Sequence, residues 1–157
     1  MPKKQEAICL ELGEKDGLSK SYSGQGLVLA ALGRLDGALE LYKKEQVICE
    51  GLGDKDGLQR TYSNQATILM RLGRLQEALA LIQKSESICV ELGARGDLAL
   101  TFWQWAALAR AQGDRQTEME NLQQALALFT ELNMPRERDA VQAELDRPNS
   151  AEPPAIS

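Results

Sequence analysis

Apolar residues fall along this chain on a helical stripe that returns at a fixed interval. Leu35, Ala38, Leu39, Leu41 and Tyr42 have the spacing of a helix with one buried face, and the stripe reappears as Leu75, Ala78, Leu79, Leu81 and Ile82. The interval is 40 residues. Residues 8–47 and 48–87 share 20 identities in 40 positions, which requires duplication. ICLELGEKDGLSKSYSGQ from Ile8 is repeated as ICEGLGDKDGLQRTYSNQ from Ile48 and ICVELGARGDLALTFWQW from Ile88. LGRLDGALELYKK from Leu32 returns as LGRLQEALALIQK from Leu72 and more loosely as QGDRQTEMENLQQ from Gln112. Self-similarity at such a period predicts a solenoid, in which one helix pair cannot bury its own stripe and neighbours share a core.

Punctuation divides each unit into two helices. Gly13, Gly53 and Gly93, with Asn133 in the last copy, stand where a helix must end in a left-handed residue. Asp16, Asp56 and Asp97 follow and are expected to cap the next helix. Gly33, Gly73 and Gly113 mark the turn inside each pair. The expected map has a half helix ending near Leu12, then helices at about 16–32, 34–52, 56–72, 74–92, 97–112, 115–132 and 136–147. The expected fold is all-α, a right-handed α-solenoid of antiparallel helix pairs. In it, 1–147 is a single array: 1–13 a truncated second helix, 14–53, 54–93 and 94–133 full repeats, and 134–147 a capping helix. The proline-rich segment 148–157 is expected to be a disordered tail.

Composition agrees with helices. Hydrophobic residues make up 43% and aromatics 4%, so Leu and Ala carry the core. A net charge of −5 without a basic run argues against a nucleic-acid surface. No stretch reaches the roughly 20 apolar residues of a membrane span. The N-terminal residues lack the apolar core of a signal peptide, so a cytoplasmic location is expected.

Chemistry-bearing constellations are scarce. There is no histidine, which removes the commonest general base and zinc ligand. Cys9, Cys49 and Cys89 recur 40 residues apart without a close pair, and read as small core residues rather than ligands or disulfides. The glycine-rich run Gly51–Gly57 follows a helix rather than a strand, so it reads as a junction, not a phosphate loop. No enzyme, metal or cofactor is expected.

These residues resemble the tetratricopeptide signature W-x2-L-G-x2-Y…A-x3-F…P. The second repeat supplies Tyr62, Ala66, Leu69, Gly73, Ala78 and Ile82; the first supplies Tyr22, Gly26, Leu29, Gly33, Ala38 and Tyr42; the third supplies Phe102, Ala106, Ala109 and Gly113. The terminal proline is missing, Gln25, Gln65 and Trp105 replace a core leucine, and Glu118 replaces a close-packing alanine. The long unit is similar to spindle-orientation scaffolds of the Pins type and to bacterial arrays joined to signalling modules. The resemblance implies a non-catalytic scaffold that grips a protein or extended peptide in a concave groove, as part of a larger signalling or assembly protein. A structural module for homo-oligomerisation is the alternative.

By that resemblance the groove is lined by Lys20, Ser23, Leu27, Arg60, Ser63, Asn64, Thr67, Arg71, Trp103, Gln104 and Arg110. Four basic residues on an acidic chain suit an acidic peptide, because guanidinium groups grip carboxylates bidentately. Trp103 is the candidate aromatic hot spot. The residues of a chaperone carboxylate clamp are mostly replaced, so that ligand is not expected. The first residues align with the middle of a second helix, so a longer parent array, or a homodimer through an uncovered N-terminal helix, is expected.

Overall fold

A computed structural model of the chain describes residues 4–148, with side chains from residue 11 onward. Of the segment 148–157, expected to be disordered, residues 149–157 lie outside the described residues, as does the side chain of Cys9. The described residues form seven helices and no strand: α1 (Lys4–Ala31), α2 (Leu35–Leu52), α3 (Lys55–Arg71), α4 (Leu75–Leu92), α5 (Arg95–Ala111), α6 (Arg115–Glu131) and α7 (Pro135–Asp146). The all-α reading therefore holds, and six of the seven helices lie within two residues of their expected ends. The chain divides into two compact units, with the boundary inside α4 between Ser85 and Glu86. Each is described by itself.

In the first unit α1 packs on α2, and α2 on α3. The turn after α1 reverses through Gly33 at φ 78°. No neighbour would touch a side chain there; glycine is required by the backbone alone. Gly73 repeats this geometry, and Gly53 at φ 65° ends α2 by donating to the Cys49 and Glu50 carbonyls. Gly26 serves a different need, because a Cβ there would lie 2.6 Å from Cε1 of Tyr42. Tyr42, Ala38 and Leu39 are buried by that close approach. Lys44 lies over the Tyr22 ring and Lys84 over the Tyr62 ring, the same cation–π contact in two repeats.

In the second unit α5 packs on α6 and α6 on α7. Its core gathers Ala99, Ala106, Leu122, Ala125, Phe129 and Val141. Gly93 and Gly113 take positive φ, as does Asn133 at 56°, the position where asparagine was expected to replace glycine. Glu118, which replaces the alanine, is buried with its carboxylate 3.0 Å from Nη1 of Arg115. Ion pairing offsets part of the penalty of placing a carboxylate where the other repeats hold alanine.

Two expectations are corrected. α1 is one continuous helix of 28 residues, so the break expected at Gly13 does not occur. Glycine permits a left-handed residue without demanding one. Residues 11–18 are all exposed, so a reversal there would forfeit helical hydrogen bonds with no burial to offset them. The caps also differ. Asp54, not Asp56, begins α3 by accepting from the Gly57 N–H at 2.9 Å, and Asp114 begins α6 by accepting from Thr117. Asp56 and Asp97 sit in the first turn, where a carboxylate favours the helix dipole, and Asp16 lies inside α1, paired with Lys20.

Gly13 and Gly53, equivalent in sequence, should therefore respond oppositely to alanine. Gly53→Ala is expected to destabilise by about 1–2 kcal/mol through its left-handed backbone, and Gly13→Ala to stabilise by about 0.5–1 kcal/mol as a helix-interior substitution. Urea unfolding of the two variants checks both signs.

Candidate functional site

The groove residues of the first unit lie on α1 and α3, and their surroundings differ sharply. Arg60 is committed to the fold. Its Nε and Nη2 donate to Oε1 of Glu45 at 3.2 and 2.8 Å. Glu45 is wholly buried on α2, at the position that Ser85 and Ala125 fill in the later repeats. Its Oε2 has no hydrogen-bond partner. Burial pushes the Glu45 carboxyl above its ordinary value, opposed by the hydrogen bond and charge of Arg60 and raised further by Asp54. Tyr42, one turn away, is likewise pushed up by burial and by the Glu45 charge.

Beside this pair lies a second polar contact between α2 and α3. Thr61 Oγ1 donates to the Tyr42 carbonyl at 2.8 Å, and Gln65 Nε2 donates to Gln46 Oε1 at 2.9 Å. Gln65 thus explains the loss of the family's leucine in this repeat: its amide is buried and bonded across the interface. Gln59 Nε2 donates to Ser85 Oγ at 3.2 Å on the α4 side. Cys49 and Cys89 are buried thiols, 3.5 Å from Ser19 Oγ and 3.7 Å from Thr101 Oγ1 respectively. Burial raises the Cys49 thiol, which suits a packing residue rather than a nucleophile.

The solvent edge of α3 carries the remaining candidates. Ser63 and Asn64 are half-buried, and Thr67 and Arg71 are exposed. Thr67 Oγ1 donates to the Ser63 carbonyl, a turn-local bond that leaves the hydroxyl oxygen on the helix surface. Arg71 Nη1 donates to the Ala30 carbonyl at 3.0 Å, which ties the end of α3 to the end of α1. On α1, Leu27 is exposed and Ser23 buried, while exposed Lys20 pairs with Asp16 at 3.2 Å.

In the second unit Arg110 is exposed and Gln104 half-buried. Trp103, the candidate hot spot, is half-buried. Its ring meets Phe129 edge-on at 5.9 Å, and its indole N–H donates to Glu144 on α7. A large amphipathic ring gains more from this packing than from solvent, and α7 supplies both the cover and the acceptor.

Sequence reasoning missed the Glu45–Arg60 pair. The available signal was a glutamate on the buried stripe formed by Tyr42, Glu45 and Cys49, at spacings of three and four. No group of three or more His, Cys, Asp or Glu side chains suited to a metal occurs among the described residues. No helix among them is long and apolar enough to cross a membrane.

The raised carboxyl of Glu45 sets the sign of a pH effect. The folded state holds its proton more tightly than the unfolded state, so this group favours folding at low pH. That contribution is lost as pH rises through the ordinary carboxylate range to the raised folded value. Glu45→Gln should abolish this part of the pH dependence and gain stability relative to the parent between pH 4 and 7. Thermal unfolding across that range measures it. Arg60→Met, which strands the buried charge, should instead destabilise by about 3–5 kcal/mol at pH 7.

A family model described as Tetratricopeptide repeat matches residues 57–131, from within α3 to the end of α6. No curated protein matches the chain. The paired helices, left-handed turns and small close-approach residues of that stretch are those the repeat requires. Over residues 57–131 the chain belongs to the tetratricopeptide repeat family, whose members are typically non-catalytic protein-interaction scaffolds.

Proposed function

We propose that the chain binds an extended, acidic peptide along the solvent edge of α1 and α3, with Ser63, Asn64, Thr67 and Arg71 on α3 as the core of the site. One observation carries this reading: Arg71 is exposed, yet anchored at Nη1 by the Ala30 carbonyl. That bond orders the guanidinium while its Nε and Nη2 edge remains able to grip a carboxylate bidentately. An arginine pre-ordered in this way loses less entropy on binding than a mobile surface charge. Arg60 contributes field rather than a free fork, since its donors are turned to Glu45. Leu27, Lys20 and Ser23 belong to the same proposal as flanking positions, and Trp103, Gln104 and Arg110 are proposed as a peptide contact of the second unit by itself. Trp103 is limited there to contact through what its packing leaves open.

A second reading, self-association through the N-terminal helix, is favoured by the exposure of Leu12, Leu18, Leu27 and Val28 on α1 and of Leu32 just after it. Light scattering over a concentration series separates it from the first, because a constant monomer mass removes it.

Arg71→Glu should weaken binding of an Asp/Glu-rich peptide selected against the chain by about tenfold or more, with unchanged circular dichroism. Calorimetric titration that finds equal affinity for parent and variant would refute the acidic-peptide reading.

A further inference from the structure

The repeat does not ask for a glutamate at position 45. The aligned positions hold Gln5, Ser85 and Ala125, and those of its partner Arg60 hold Lys20 and Leu100. The pair joins a carboxylate wholly shut off from solvent to an arginine whose side chain is 44% exposed. It is also lopsided. Nε and Nη2 of Arg60 both donate to Oε1, at 3.2 and 2.8 Å, while Oε2 is buried without a hydrogen-bond partner. A bidentate pair would use both oxygens.

The Thr61 hydroxyl also bears on this carboxyl. Its one hydrogen is committed to the Tyr42 carbonyl at 2.8 Å, and one of its lone pairs receives the Gln65 amide at 3.3 Å. Towards Glu45 it can therefore only accept, which suits a carboxylic acid O–H and not a carboxylate. Each protonation state of Glu45 thus has one partner: Arg60 for the ion, Thr61 for the acid. On α3, Arg60 and Arg71 stand eleven residues apart. That spacing puts them about 20° apart around the helix and about 16 Å apart along it. An extended peptide covers that length in about five residues.

We propose that Glu45 is an internal competitor for the ligand, and that its protonation releases Arg60 to grip a second carboxylate of a peptide whose first is held by Arg71. This rests on the acidic-peptide reading and names its regulation. While Glu45 is ionised, a ligand that took Arg60 would strand a buried charge. A proton from solvent removes that obstacle: the acid O–H turns to Thr61, and the guanidinium turns from Oε1 to the peptide. Burial already raises the Glu45 carboxyl, and Arg60 is the main group opposing it. Its withdrawal raises the carboxyl further, so binding takes up protons and tightens as pH falls to the folded Glu45 value. The ionisable groups facing Glu45 are Tyr42 and Cys49 on α2, Asp54 at the head of α3, and Arg60. On the α1 side the cluster meets Ser19, 3.5 Å from Cys49 Sγ. Burial raises both Tyr42 and Cys49, so neither titrates in the acid range.

One test needs no peptide. Phenylglyoxal at neutral pH, read by mass spectrometry of the full chain's fragments, should modify Arg60 several-fold faster in Glu45→Gln than in the parent, with Arg71 as the unchanged reference. The other titrates the Asp/Glu-rich peptide selected against the chain by calorimetry. Glu45→Gln should tighten binding at neutral pH by about tenfold, Glu45→Ser should reproduce the gain, and Arg60→Met in the Glu45→Gln background should remove it. In two buffers of different ionisation enthalpy, between about pH 5 and 7, the parent should take up protons that Glu45→Gln does not. Equal Arg60 modification in parent and Glu45→Gln overturns the proposal. So does equal affinity of these two chains for a peptide that Arg71→Glu weakens. Faster Arg60 modification with affinity indifferent to Arg71→Glu supports the release of Arg60 and overturns the peptide reading instead.

Discussion

Every helix pair in this protein depends on a reversal of chain direction through a left-handed residue. Gly33, Gly53, Gly73, Gly93, Gly113 and Asn133 all take φ between 56° and 78°. Each reversal lets a helix lie back on its predecessor, and burial of Ala38, Tyr42, Ala78 and Ile82 follows. The constraint is local, but what it returns is tertiary: a reversal is worth its lost helical hydrogen bonds where two apolar stripes meet. Gly13 shows the converse, remaining helical where residues 11–18 are exposed.

Once helices are reversed, their register is held by polar groups rather than by apolar packing alone. Leucine and alanine stripes slide past one another at small cost, whereas Glu45 to Arg60, Thr61 to the Tyr42 carbonyl and Gln65 to Gln46 each define one alignment of α2 on α3. In the second unit the Trp103 indole, donating to Glu144, ties α5 to α7, whereas Arg115–Glu118 is a pair within α6. The repeats therefore share an apolar frame and differ in the polar contacts set into it, which gives near-identical units distinct interfaces.

That economy bears on function. Residues that looked like one binding surface divide into those spent on the fold and those left at its edge. Arg60 and Trp103 are largely spent. Ser63, Asn64, Thr67 and Arg71 remain on the solvent edge of α3, and Arg71 is ordered by a contact made elsewhere. Val28 on α1 is exposed where its equivalent on α3, Ile68, is buried.

The 40-residue duplication, its glycine punctuation and its apolar stripes determine by themselves that the described residues are helical, where the turns from Gly33 onward lie and that the chain carries tetratricopeptide repeats, because these features depend on period and local backbone preference. The left-handed asparagine at 133 was legible for the same reason. Tertiary structure decided whether Gly13 breaks a helix, that Asp54 rather than Asp56 is the cap, that Arg60 serves Glu45, and that Trp103 is covered by α7. Each of these is a choice between partners distant in sequence, and a repeat alignment records equivalent positions without recording which neighbours are present to occupy them.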